Sequence, residues 1–237
     1  MAKKGTLVIL RHGETDYNVQ KRMTGQRDIP LNAKGEKQAE EAGKVISIFH
    51  FDKAYSSTLG RAFNTAAKAL KAAGTNDHLK KPDGSFDIEQ RTEIMELDTG
   101  DFTGRNHKTD PEIISYGRRF DKPLPGGESD QQVVDRVQKF FDTEVQPRLA
   151  RGETVLVVSH SGIMRAFDIV LGLKETPDPS SNTWTSRARV PNAAPTIVEY
   201  ADGKYVNHYR IVPSAPVLDA SNENKPPAPP KIKPATP

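Results

Sequence analysis

Short apolar runs alternate with amphipathic stretches along most of the chain. TLVIL at residues 6–10 is too short for a helix and has no polar interruption, which predicts a strand buried on both faces. Asn32 to Phe49 follows with a helical pattern, then FDKAYSS at 51–57 as a second strand, then an alanine-rich helix from Thr58 to Gly74. Strand, helix, strand, helix is the signature of a parallel sheet covered by helices, so the class is α/β. Further on, Val133, Val137, Phe140, Phe141, Val145 and Leu149 trace one face of an amphipathic helix. That helix leads through Arg151 and Gly152 into TVLVVSH, a nearly wholly apolar strand, and SGIMRAFDIVLGL starts the next helix with a serine suited to capping. TIVEY and YVNHYRIV, separated by ADGK, predict a closing hairpin. Beyond Pro213 the chain turns to proline, lysine and small polar residues with almost nothing to bury. The expected organisation is one catalytic domain over residues 1–213 and a disordered tail over 214–237.

Charge adds little to this picture. The chain has 34 basic and 31 acidic residues among 237, so the balance gives no argument for nucleic acid or membrane partners. There is no cysteine, which excludes disulfides, thiolate metal sites and thiol nucleophiles. The first ten residues carry lysines before an apolar run well short of a signal peptide's core, and no stretch approaches a membrane span. The reading is a soluble, cytoplasmic protein. Assembly into a homo-oligomer is compatible with the sequence but not specified by it.

The candidate chemistry lies where the strands end. In an α/β sheet, ligands bind beyond the carboxyl ends of the strands. Arg11 and His12 follow the first strand, Ser56, Ser57 and Arg61 the second, and His160 the strand TVLVVS. Any one of these is an ordinary loop residue, but two imidazoles and two guanidinium groups converging on one end outline a phosphoryl site. An arginine's planar fork matches phosphate oxygens bidentately. His50, His78, His107 and His208 have no ligand spacing, and there is no HExxH, so no metal is expected. VSHSG approaches a nucleophile elbow but has Ser159 where that motif needs glycine, which argues against a serine hydrolase.

RHGETDYN, MTGQRDIPLNAKGEKQAEEAG, YSSTLGRAFNTA, MELDTGDFTGRN, GRRFDKPLPGGES, VVSHSGIMRA and VPNAAPTIVEY resemble, in this order, the motifs of the histidine phosphatase superfamily. Within it the paired arginines of GRRFD and the VPNAAP segment are similar to the short bacterial 2,3-bisphosphoglycerate-dependent phosphoglycerate mutases. The resemblance covers about Thr6 to Val212 and implies a three-layer α/β sandwich, with a mostly parallel central sheet and helices on both faces. It implies interconversion of 3-phosphoglycerate and 2-phosphoglycerate, with 2,3-bisphosphoglycerate as phosphoryl primer and a small phosphorylated substrate as the partner. His12 would then be the nucleophile, Arg11, Arg61 and His160 would hold the phosphoryl oxygens, and Thr15 and Asn18 would add neutral hydrogen bonds. Glu96 would be the general acid and base. Thr24 and Gly25 would meet the rest of the substrate, and Arg118 and Arg119 would grip its carboxylate or second phosphate.

The chain departs from the mutase pattern at several substrate-facing positions. Thr99 stands for a tyrosine, Leu97 for an arginine, His107 for a lysine that recurs one place later as Lys108, and Ser161 and Gly162 for glycine and asparagine. HSGIMRA reads more like the phosphatase branch. These changes leave the phosphohistidine step intact and bear on substrate grip, so a phosphomonoester phosphatase of the same superfamily is the alternative. PPAPPK at 226–231 fits a PxxP ligand of an adaptor, but a plain solvated tail is the favoured reading, and the intact His12, Glu96 and His160 speak against a catalytically silent protein.

Overall fold

The computed structural model describes residues 3–117, 120–174, 190–201, 204–211 and 233–234. The chain begins with β1 (Lys4–Arg11), the short helix α1 (Asp16–Val19) and α2 (Ala33–Ile46), followed by β2 (Lys53–Ser57), α3 (Gly60–Ala73) and the edge strand β3 (Ile88–Arg91). Next come α4 (Pro111–Tyr116), α5 (Asp130–Phe140), a π-helical turn over Phe141–Val145 and α6 (Gln146–Ala150). The chain closes with β4 (Thr154–Ser159), α7 (Ser161–Val170), β5 (Pro195–Ala201), β6 (Lys204–Arg210) and β7 (Lys233–Pro234).

The seven strands form one sheet in the order β3-β2-β4-β1-β5-β6-β7. β3, β2, β4 and β1 are parallel neighbours, whereas β5 runs antiparallel to β1 and pairs antiparallel with β6 as the expected hairpin. Alternation along β1 divides the core. Leu7 and Ile9 point to one face with Tyr55, Val155 and Val157, and meet Val133, Val137, Phe140 and Phe167 of α5 and α7. Val8 and Leu10 point to the other face with Ala54, Leu156 and Val158, and meet Ala42, Ile46, Ala66 and Leu70 of α2 and α3. All four β1 side chains are at most 2% exposed, and burial of each stabilises the fold by about 1.5–3 kcal/mol. This is the three-layer sandwich with a parallel centre.

The element boundaries follow local chemistry. α2 begins one residue after Asn32, whose side chain accepts the Gly35 N–H at 2.8 Å and caps it. α3 ends at Gly74, which takes a φ of 67° that a Cβ would oppose. The single helix expected through Val133–Leu149 is interrupted by the π turn, and this is a correction. Steps of four residues from Val133 through Val137, Phe141, Val145 and Leu149 each drift by about 40° around a regular α-helix; the wider turn absorbs that drift and returns Val145 and Leu149 to the core. β3, α1 and α4 have no counterpart in the apolar pattern, being short, with Ile88 the one buried residue among them. Most of the tail expected over 214–237 lies outside the described residues; of it, Lys233 and Pro234 pair with Arg210 and Tyr209. Among the described residues no helix is long and apolar enough to cross a membrane.

Candidate active site

The register of the parallel strands sets the site. Arg11 closes β1 opposite Ser159 of β4, and the His12 N–H donates to the Ser159 carbonyl at 2.9 Å, extending the ladder by one residue. His12 and His160 thus leave adjacent strands at the same level, with ring centroids 5.1 Å apart. Behind His12 the loop lies directly against the start of α2. A Cβ on Gly13 would strike the Gly35 carbonyl, and one on Gly35 would strike the Glu14 carbonyl, so both positions need glycine for close backbone approach. The Gly13 N–H donates to Thr65 Oγ1 at 3.1 Å, and that hydroxyl donates to the Arg61 carbonyl at 2.7 Å, which ties the His12 loop to α3.

Hydrogen bonding fixes the tautomer of His12. Its Nδ1 lies 2.6 Å from the Gly13 carbonyl oxygen, which can only accept, so Nδ1 carries the proton and Nε2 keeps its lone pair. Burial, then Arg61, then Arg11 hold its pKa well below the usual imidazole range, the Gly13 bond opposing them weakly. A neutral ring with a free Nε2 is what in-line attack on phosphorus requires. His160 is fully buried, and burial, Arg61, His12 and Arg11 likewise press its pKa far down. Neither of its ring nitrogens has a hydrogen-bond partner, and Arg61 Nε and Ser161 Oγ are in the same condition. Buried polar atoms left unpaired are costly, and their concentration at one end of a sheet marks a ligand site.

Arg61, with no exposed surface, is aimed by two backbone carbonyls: Nη1 donates to Arg27 at 2.7 Å and Nη2 to Gly25 at 2.9 Å. A cavity of about 710 Å³ opens beside these groups. Of the residues proposed from sequence, Arg11, His12, Asn18, Thr24, Gly25, Arg61, Glu96, Thr99, His107, Lys108, Ser161 and Gly162 line it. His160 is not among the lining residues; its ring packs edge-on against that of His12. Thr15, expected to face the substrate, is buried as the N-cap of α1. Its hydroxyl accepts the Asn18 N–H while Asn18 Oδ1 accepts the Thr15 N–H, a reciprocal capping box that occupies the side chain. The Gly162 N–H points at Glu96, donating to Oε1 at 3.2 Å. Arg118 and Arg119 lie outside the described residues.

Other groups at the site were not singled out from the sequence. Lys21, Arg22 and Arg165 also line the cavity, so among the described residues its lining holds six cationic residues, with Arg11, Arg61 and Lys108, and one carboxylate, Glu96. Arg165 could have been found from helical period, since it lies four residues after Ser161 on α7. Asn192 donates to the His12 carbonyl at 2.8 Å and to Asn18 Oδ1 at 3.3 Å, and Arg11 Nη1 donates to the Val190 carbonyl. Antiparallel pairing of β5 with β1 is what brings these residues to the site. Arg136 of α5 donates to the carbonyls of Glu93 and Glu96 and pairs with Glu128, pinning the loop that carries Glu96. Among the described residues no group of three or more His, Cys, Asp or Glu side chains is placed to hold a metal ion.

The model of the histidine phosphatase superfamily (branch 1) matches residues 7–210. The chain belongs to this superfamily. A curated relative in Rhizobium etli, named 2,3-bisphosphoglycerate-dependent phosphoglycerate mutase, is 33% identical over 225 residues, covering 92% of this chain and 96% of its own. The solved structure of a phosphoglycerate mutase from Bacillus anthracis matches with a TM-score of 0.67 at 27% identity, over 86% of this chain and 92% of that one. A mycobacterial glucosyl-3-phosphoglycerate phosphatase matches with a TM-score of 0.64 at 28% identity, over 83% of this chain and 96% of that one. As a member of the superfamily the protein is an enzyme, and both mutases and phosphatases are among its neighbours.

Proposed function

We propose that the protein interconverts 3-phosphoglycerate and 2-phosphoglycerate by way of a phosphohistidine on His12. The observation that carries this reading is the cationic wall: six cationic side chains, Lys21, Arg22 and Lys108 among them, share one cavity with a neutral His12. A monoester needs the clamp of Arg11 and Arg61. A mutase must in addition hold a doubly phosphorylated acid while it turns round, and only further cations supply that grip. The cavity's charge and the unpaired polar atoms of Arg61 and Ser161 in its lining suit such a ligand. When bound, 2,3-bisphosphoglycerate supplies the phosphoryl group that charges His12.

Each residue then has one task. His12 Nε2 attacks phosphorus as the ester oxygen leaves, while Nδ1 stays bonded to Gly13 and holds the ring in line. Arg11 and Arg61 take up the charge growing on the phosphoryl oxygens, with the His160 ring packed against His12. Glu96, the single carboxylate that lines the cavity among the described residues, gives a proton to the leaving oxygen and takes one from the attacking hydroxyl in the return half.

Hydrolysis is the second reading, and one observation favours it. Met23, Leu97, Ile113 and Ile114 line the cavity with apolar surface that a three-carbon acid does not need. The assay that separates the two follows 3-phosphoglycerate with and without 2,3-bisphosphoglycerate, counting 2-phosphoglycerate and free phosphate together. Primer-dependent isomerisation exceeding phosphate release supports the mutase. Phosphate release alone, independent of primer, replaces it with the phosphatase.

A further inference from the structure

The carboxylate of Glu96 is seated on the first turn of α7. The Leu97 N–H donates to Oε1 at 2.9 Å, and the Gly162 N–H donates to Oε1 at 3.2 Å and Oε2 at 3.4 Å. A helix start leaves its first N–H groups without partners, and His160, the N-cap of α7, makes no side-chain cap bond. Glu96, from a loop 66 residues earlier in sequence, therefore caps α7 at Gly162.

Gly162 has no conformational reason to be glycine. It lies within a regular helix, outside the left-handed region, where glycine is the less stable choice. Its reason is space. A Cβ there would collide with Glu96 Oε1, and the next atom it would meet is the Glu96 carboxyl carbon at 3.4 Å. The absent side chain and the backbone N–H act together: one admits the carboxylate, the other holds it. The Glu96 backbone is fixed separately, its carbonyl accepting from Gln26 Nε2 and Arg136 Nη2, both at 3.3 Å. With the backbone pinned, a side chain at 162 would turn the carboxylate away and leave the loop in place.

We infer that Gly162 is a positioning residue for proton transfer, seating the Glu96 carboxylate where it meets the ester oxygen. This rests on the reading of Glu96 as general acid and base. As the bond from His12 Nε2 to phosphorus forms, the bond from phosphorus to the ester oxygen breaks, its electron pair stays on that oxygen, and the Glu96 proton joins it. Displacing Glu96 slows this step in proportion to how much the leaving group needs the proton.

The experiment measures formation of the acid-labile phosphoenzyme by rapid quench in the full chain, with glycerol phosphate and with p-nitrophenyl phosphate. Alkoxide needs the proton and nitrophenolate does not. Gly162→Ala is expected to slow formation from the alkyl ester by roughly 10- to 100-fold and to change the ratio of the two rates by at least about tenfold. Shortening the carboxylate relieves the contact, so Glu96→Asp combined with Gly162→Ala forms phosphoenzyme faster than the product of the single losses. Equal slowing of both esters, or no slowing, overturns the inference, and so does strict additivity of the double variant. Glu96→Gln separates the two levels. If it slows the alkyl ester while Gly162→Ala does not, positioning alone fails. If Glu96→Gln slows neither ester, the acid–base reading fails and takes the inference with it.

Discussion

Arg61 opens α3 and Arg91 closes β3, and the two arginines live in opposite electrostatic worlds. Arg91 is partly exposed and ringed by carboxylates, pairing with Glu89 and Glu144 at 3.0 Å and with Glu93 at 2.8 Å. Its hydrogen bonds to Glu93 and Glu89 hold its pKa above the ordinary guanidinium value. Arg61 has no exposed surface and bonds to two backbone carbonyls, and burial pulls its pKa down against the weaker pull of Glu96 and Asp28. Arg91 has spent its charge on the fold. Arg61 is held by dipoles that orient it without neutralising it, at the desolvation cost that a bound anion would offset.

That contrast is broken most directly by exchanging the two roles. On the proposed mechanism, Arg61→Ala should lower kcat/KM by roughly two to four decades, because it removes a fixed cation and its unpaired Nε donor from beside the phosphoryl group. Arg61→Lys keeps the charge but loses the fork and should recover only part of this. Arg91→Ala should leave kcat/KM within about threefold. Steady-state kinetics on the three variants checks all of this. If Arg91→Ala proved as damaging as Arg61→Ala, the division between spent and available charge would be wrong.

Acid sharpens the same contrast. His12 and His160 are held neutral in the fold, their pKa values pushed well below 6.5, whereas unfolded imidazoles titrate near 6.5. Below that point the unfolded chain binds more protons, so the contribution is favourable above it and is lost as pH falls. Unfolding free energy measured in urea should decline between about pH 6.5 and 5 with a slope approaching two protons, before carboxylates dominate. His160→Asn should remove one of them. A flat profile over that window would mean that the buried rings take up protons together with the unfolded ones, and a rise as pH falls would mean that they are charged in the fold.

The effects on stability are smaller. Arg91→Ala leaves Glu89, Glu93 and Glu144 facing one another and should lower stability by about 1 kcal/mol, less at high salt, as read by denaturant unfolding. Smallest of all is removal of residues 214–237, whose composition offers little apolar surface. It should shift the melting temperature by no more than about 2 °C. A larger fall would assign the tail a part in the fold.

How far the sequence carried these conclusions depends on the range of the contact. TLVIL and TVLVVS are read as strands from their apolar runs alone, and once they lie parallel, Arg11, His12 and His160 must share an end. Asn32 and Gly74 are local punctuation in the same way. Thr15 is where local chemistry misleads: a threonine three residues before an asparagine can cap a helix or bind a ligand, and here the cap takes it. Thr65, Arg136 and Asn192 could not be read. Each acts through a backbone group far away in sequence, and nothing in a short motif marks a side chain that will meet a distant carbonyl or N–H. The π turn escaped for a related reason, since helical spacing tolerates a one-residue slip between two adjacent phenylalanines.

The central claim is that His12 accepts the phosphoryl group on Nε2, the nitrogen that the Gly13 bond leaves free. Protein labelled with 15N in its imidazoles, charged with substrate and examined by 31P–15N correlation NMR at alkaline pH, tests it directly. The account predicts one acid-labile, base-stable phosphohistidine, coupled to Nε2 and absent from His12→Ala. A phosphoryl group on Nδ1, on His160 or on an acid-stable serine would contradict it.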